Sequence, residues 1–344
     1  MWFPFIPLSV SAIIVSSFGF SLQNAKPHCP PPEEVKPCTC SDSGEVSALC
    51  RNIKDGNALT NAFSKNLNWN IERVHFDHCT IDYIPSSILT YDSLKKINVS
   101  SSTLGSLFDE APVKTPEIDI YLYDVKLLRG LKWEIFKDSS ISGLGTFKFE
   151  IRHFGKDFKE YMPQGVMNLW FENSKTVRIT HQAFQRMVNL DVLVLTGGSL
   201  KSISRDMFPR PWNIKFWNLS QQKLTALPKD IFDDLPQLTM FSVMKNFLTT
   251  IDEEVFTKSG TTYYLNVTSC ETRLWPKALI TNSFICLCNL PSTAPYSVKW
   301  RPKDQHSAYL FGCGTISVAL AQNFEHEFNP ILCVPLRSVR SILP

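Results

Sequence analysis

Residues 190–256 read LDVLVLTGGSLKSISRDMFPRPWNIKFWNLSQQKLTALPKDIFDDLPQLTMFSVMKNFLTTIDEEVF. Cut at residues 190, 214 and 238, this stretch falls into three copies of one pattern, L-x-x-L-x-L-x-x-N-x-L-x-x-I/L-x-x-x-x-F, with successive copies 24 residues apart. A looser copy runs VMNLWFENSKTVRITHQAF over 166–184, and earlier ones begin at 71 and 94. The stretch 261–280, TTYYLNVTSCETRLWPKALI, is one more, and further copies fall near EIDIYLYDV and GTFKFEIRHF in the irregular segment 115–160. Whether that segment holds one unit or two stays open at this level. The total is about nine units, counted on the repeat period.

The alternation dictates the geometry. In L-x-L the two apolar positions point into a core, and the residue between them points the other way. No single unit can bury its own apolar face, so the units must stack and the stack must be closed at both ends. Period and spacing are those of leucine-rich repeats. The expected fold is therefore an α/β solenoid, a leucine-rich repeat horseshoe with a parallel sheet lining its concave side. Phe184, Phe208, Phe232 and Phe256 recur at one position and are expected to stack as a spine along the outer arc.

The ends are rich in cysteine. Four cysteines lie at 29, 38, 40 and 50 and four at 286, 288, 313 and 333, while Cys79 and Cys270 stand apart. Such clusters read as disulfides in an exported chain, and the metal reading of C-x-C lacks further Cys or His at ligand spacing. CPPPEEVKPCTCSDSGEVSALC (29–50) resembles the amino-terminal cap of extracellular leucine-rich repeat proteins, and that resemblance implies Cys29–Cys40 and Cys38–Cys50. The closing C-L-C…C…C resembles the matching carboxy-terminal cap, which implies Cys286–Cys313 and Cys288–Cys333, with the tryptophan that follows C-x-C there delayed to Trp300. Cys79 and Cys270 both fill the asparagine slot of their units. Eight units apart, they are separated by about 38 Å at ~4.8 Å per strand, far beyond the ~7 Å a disulfide spans. The expected organisation is a signal peptide (1–25), an amino-terminal cap (26–60), the repeats (61–280) and a carboxy-terminal cap (281–344).

The opening MWFPFIPLSVSAIIVSSFGFSLQNAKPHC is apolar and free of acids, as in a secretory signal, and Pro4 and Pro7 disfavour the alternative of an uncleaved anchor. Secretion to the extracellular space is therefore expected, without stable insertion in a membrane. A net charge of +3 over 344 residues points to no polyanionic partner, nucleic acid included. Three N-x-[ST] acceptors, Asn98, Asn218 and Asn266, all sit between the two inward residues of L-x-L, so any sugar they carry would project from the concave face.

Catalytic signals are weak. HFDHC places His75, Asp77 and His78 near one another, but imidazole and carboxylate at a strand end are by default solvated polar groups rather than metal ligands. SGLGTF (142–147) is a glycine pair with no helix after it, a poor phosphate cradle. No G-x-S-x-G, HExxH or P-loop pattern occurs, so no catalytic residue, metal or cofactor is expected. The third repeat position carries Val192, Phe216, Met240 and Tyr264, with Trp170, Val194 and Met244 on the same face. A run of large apolar groups on exposed positions marks a partner surface or a surface covered by a loop or cap. With Asn218 and Asn266 bearing sugar, the accessible part moves toward Trp170, Val192 and Val194, and Phe216 and Met240 belong to the longer stripe.

More narrowly, CPPPEEVKPCTC followed by SALCRNI is similar to a group of secreted arthropod proteins. They are named for likeness to the leucine-rich, non-catalytic subunit of Oplophorus-type luciferin 2-monooxygenase. The resemblance implies a non-catalytic extracellular protein that associates with another polypeptide. The expected function is binding of a protein partner through the concave face, as in an accessory subunit of a secreted complex. The alternatives are an innate-immune or matrix-type recognition protein and, less favoured, a catalytic or accessory-oxygenase component.

Overall fold

The computed structural model describes residues 29–65, 69–111, 115–249 and 251–256, and the backbone of strands Tyr264–Asn266, Phe284–Cys286, Leu310–Cys313 and Cys333–Pro335. Its centre is one 14-stranded sheet in which strands follow one another in chain order. Thr39–Ser41 opens it antiparallel to Ser47–Arg51, and Cys333–Pro335 closes it antiparallel to Leu310–Cys313. Every pairing between those two is parallel.

Sequence alternation becomes burial alternation. In Lys96–Ser100 and Asn168–Glu172 each second residue is buried and its neighbours are half-buried. Leu169, Leu193, Trp217 and Phe241 are register partners and all lie in the core. Behind the sheet the chain returns through short elements: 3-10 turns Ser86–Thr90, Trp133–Phe136, Arg205–Met207 and Glu253–Phe256, and the six-residue helix Lys156–Tyr161. Among the described residues the one longer helix, Gly56–Lys65, follows the amino-terminal cap strands.

Each of the described units turns at the same place. His78, Ser101, Asp124, Lys148, Asn173, Gln221 and Lys245 all have φ between 46° and 57°, and Gly197 has 66°. These are the residues just before the asparagine slot, where the chain leaves the sheet. The left-handed turn aims the N–H of His78, Ser101, Asp124 and Lys148 at the carbonyls of Ser100, Tyr123, Phe147 and Glu172 in the next strand. The slot residue then reaches backwards. Asn246 Nδ2 donates to the Leu219 carbonyl at 2.9 Å, and its Oδ1 accepts from Leu224 N–H at 3.0 Å. Gln222 does the same with Leu195 and Leu200, and Cys79, fully buried, points its thiol at the Cys50 carbonyl at 3.2 Å. Burial pushes that thiol's pKa up, as for an inert structural cysteine. Cys270 lies outside the described residues.

Three expectations need correction or completion. The segment 115–160 holds two units, on strands Ile118–Tyr123 and Ile141–Phe147. The second begins before the GTFKFEIRHF register, because its inward residues are Ile141, Leu144 and Thr146, with glycine at both outward positions 143 and 145. The aromatic spine is not a plain column. Phe184 stacks on Phe208 at 5.5 Å, but from Phe208 the ring contacts run through Trp212 and Trp217 to Phe241, and Phe232 meets Phe241 edge-on. The Phe256 side chain lies outside the described residues.

The amino-terminal cap contains the disulfides Cys29–Cys40 and Cys38–Cys50. At the other end Cys286, Cys313 and Cys333 lie on strands, with Cys313 register partner to Cys333. Their side chains, Cys288 and Trp300 fall outside the described residues, as do the expected signal segment and most of the expected carboxy-terminal cap.

Candidate functional site: the open face of the sheet

The face turned from the core, the one expected to be concave, changes character along the sheet. Its first strands are polar. Asp77 is the hub. Its Oδ1 accepts from Ser100 Oγ at 2.7 Å and lies 2.9 Å from His78 Nδ1, while its Oδ2 accepts from Arg51 Nε at 2.9 Å. Hydrogen bonding to Ser100 first, then to Arg51 and His78, holds its carboxyl at a pKa of about 2 against the desolvation that opposes ionisation. His75 Nε2 stands 2.8 Å from Ser100 Oγ, and burial lowers its pKa. Arg73 pairs with Glu45 at 2.6 Å, and Lys95 with Glu72. The residues considered as metal ligands thus hold one another and Arg51. No group of three or more His, Cys, Asp or Glu suited to a metal occurs among the described residues.

The middle strands are aromatic, and sequence reading did not single them out. Tyr121, Tyr123 and Phe147 project here; Tyr123 stacks on Phe147 at 4.6 Å and 11°, and Tyr121 lies 6.2 Å from Tyr123. Glycine makes this possible. A Cβ on Gly145 would come within 2.3 Å of the Tyr121 ring, and one on Gly143 within 2.5 Å of Asp119 Oδ1. Tyr121 therefore lies down across the next strand rather than standing up from its own. Of the glycine pair weighed above as a phosphate cradle, Gly145 seats the Tyr121 ring and Gly143 makes room for the Asp119 carboxylate. Burial raises the phenol pKa of both tyrosines, that of Tyr123 to about 12, so both stay neutral donors at physiological pH. Lys96 Nζ sits 5.7 Å from the Tyr121 ring centre, within cation–π reach.

Beyond Gly145 the floor continues with Trp170. Its Nε1 donates to Glu172 Oε1 at 2.7 Å, and its ring lies parallel to Phe216, 9° between planes and 6.4 Å between centres. Trp170 and Phe216 flank the strand Val192–Leu195, so the two rings reach over it. That overturns one expectation. Val194 was to be an accessible contact residue, yet it has no exposed surface and lies outside the main core cluster, sealed on the open face between its larger neighbours. Trp170, Val192, Phe216 and Met240 are half-buried. The stripe is thus partly folded on itself, and a loop or cap need not be invoked to explain its tolerance of water.

Of the acceptor asparagines, Asn98 is register partner to Tyr121, with its Oδ1 buried. Asn218 accepts from Ser220 N–H through Oδ1 at 2.9 Å. Asn266 lies on the described strand backbone, its side chain outside the description. Away from this face, a cleft of about 450 Å³ opens between Lys137, Ser140, Glu160, Tyr161, Gln164 and Arg186. Its charges are mixed, and Arg186 donates to the Glu160 carbonyl at 2.9 Å.

Residues 165–282 match the family described as BspA type leucine rich repeat region, in six copies. The chain thus carries leucine-rich repeats, in a setting of parallel strands that fits them. None of the curated proteins matches the chain. Among solved structures it is similar to a leucine-rich repeat protein of Leptospira interrogans, at 17% identity and a TM-score of 0.43, over 64% of this chain and 60% of that one. The chain therefore matches somewhat under two thirds of that structure's length. Leucine-rich repeats commonly mediate protein–protein contacts and are typically non-enzymatic. No helix among the described residues is long and apolar enough to cross a membrane.

Proposed function

We propose that this chain is a secreted, non-catalytic protein that binds a protein partner on the open face of its sheet, on the floor formed by Tyr121, Tyr123, Phe147 and Trp170. The observation that carries this reading is the floor itself. Four large rings lie half-buried on three adjacent strands, Tyr121 over Gly145 and Tyr123 face to face with Phe147, and contiguous apolar area of this kind on an open face marks a partner surface. Rings already packed on their neighbours have few rotamers left to lose and give contact area at low entropic cost. On the polar side Lys96 lies over the Tyr121 ring, and Arg51, Asp77, Arg73 and Glu45 beyond it are already paired. Between the strands of Asn98 and Asn218 there are five steps, about 24 Å at ~4.8 Å each, room for one helix or extended segment.

The amino-terminal resemblance supports a place as accessory subunit of a secreted complex. Innate-immune or matrix-type recognition differs from this in the ligand alone, and an oxygenase role would need a cofactor site, for which no cluster of His, Cys, Asp or Glu suited to a metal stands among the described residues. The test is light scattering on the protein isolated from its native secretion, followed by titration of the co-eluting partner. A stable heteromer is expected, with affinity falling at least ~10-fold on Trp170→Ala, a central aromatic anchor. A lone monomer, or binding indifferent to Trp170, Phe147 and Tyr123 alike, rejects the assignment.

A further inference from the structure

We propose that Asn218 carries an N-linked glycan whose innermost sugar packs on the Phe216 ring, closing the open face beyond Phe216 to a protein partner. The inference rests on the reading of the chain as secreted. Asn218 and Phe216 lie two residues apart on one strand and point to one side, so their Cα atoms are about 6.8 Å apart. The Asn218 Oδ1 is tied back to Ser220 N–H at 2.9 Å, so the oxygen end of the amide is engaged with the backbone while the residue stays only half-buried. Phe216 offers one side to Trp170 and remains only half-buried. A pyranose presents its C–H face to the electron-rich face of such a ring. The third residue of the acceptor, Ser220, is buried with its hydroxyl 2.9 Å from Ser242 Oγ. Attachment must therefore precede folding, and the sugar is built into the face as the strand docks.

Two comparisons within the chain sharpen the assignment. Tyr264 and Asn266 repeat the same aromatic–Asn spacing two strands on, in register with Phe216 and Asn218, with Met240 on the strand between. Asn98 has Lys96 at the equivalent place and no ring on its own strand, so a sugar there has no such seat. Two sugars of this kind would cover Phe216, Met240 and the strand that carries Tyr264, and would leave Tyr121 to Trp170 open.

The test uses the full chain secreted from animal cells, with glycopeptide mass spectrometry and thermal melting. Asn218 is expected to be occupied in most molecules. Asn218→Gln should lower the melting temperature by about 2–4 °C, trimming to the innermost sugar should leave it unchanged, and in a Phe216→Leu background Asn218→Gln should cost nothing further. If Asn218→Gln does not fold, enzymatic release of the whole glycan from the wild type and from the Phe216→Leu variant makes the same comparison. Asn218 bare beside an occupied Asn98 overturns this inference and spares the secretory reading. All acceptors bare overturns both, and equal melting losses with and without the Phe216 ring overturn the packing.

Discussion

At the residue scale the most consequential side chain on the polar end is Asp77. Three donors converge on its carboxylate and depress its pKa to about 2. The sign follows directly. An unfolded aspartate titrates near its ordinary value, so the folded chain binds the proton more weakly. The stabilisation is complete above about pH 4 and is lost as pH falls toward 2. Since Arg51 and His78 are largely solvent-exposed, the loss is on the order of 1 kcal/mol after screening. Denaturant melts at pH 5 and pH 2.5 should show it in the wild type and not in Asp77→Asn. Gly145 is the second such residue. Gly145→Ala drives a methyl into Tyr121, whose ring can swing away, so partner affinity should fall several-fold while melting shifts little. An isothermal titration beside a melting curve separates the two effects. The sequence drew notice to both residues for other chemistry, but not for these roles, because a hydrogen-bond hub and a ring seat depend on what the neighbouring strands present.

The repeating element was the legible scale. Period, inward positions and the asparagine slot follow from spacing alone, and the buried Cys79 obeys the slot's rule. Legibility failed where a strand lost its side-chain alternation. Ile141–Phe147 offers glycine outward at two positions and a threonine inward, so neither face announces itself, and Phe147 and its register were missed, while Trp170 was singled out. The left-handed turn yields a prediction for the element. Gly197 has φ 66°, and a Cβ there would lie 2.5 Å from Asn173 Oδ1 and 2.6 Å from the Asn173 Cα. The adjacent Gly198 leaves its volume to the amide of Gln222, one methylene longer than asparagine, at 2.4 Å from a Cβ. Gly197→Ala and Gly198→Ala should each cost about 1–3 kcal/mol, chiefly by overpacking, as measured by urea unfolding. Gly155→Ala, with nothing within 4 Å of the added carbon, is the control that should cost far less.

For the molecule as a whole, stability is a sum of units and their interfaces, and the ends decide whether the stack stays closed. The amino-terminal disulfides close short loops, with separations of 11 and 12 residues. Removing Cys38–Cys50 by a double serine substitution should cost about 2–3 kcal/mol. Hydrogen exchange should then rise first in the strands Ser47–Arg51 and Arg73–Asp77, since each strand is held by its immediate neighbours. Uniform loosening across all strands would contradict a solenoid of nearest-neighbour interfaces.

The sequence by itself determined the period, the inward and outward faces and the place of the acceptor asparagines, because those depend on spacing along one chain. It suggested the amino-terminal pairing through resemblance. Only the tertiary structure decided which outward residues meet water. Val194 is sealed where Trp170 and Phe216 reach over it, and Tyr121 lies down because the strand beside it has glycine. Those outcomes turn on side chains one or two strands away, some 24–48 residues distant, and side-chain direction across a sheet is not written in the spacing of either strand alone.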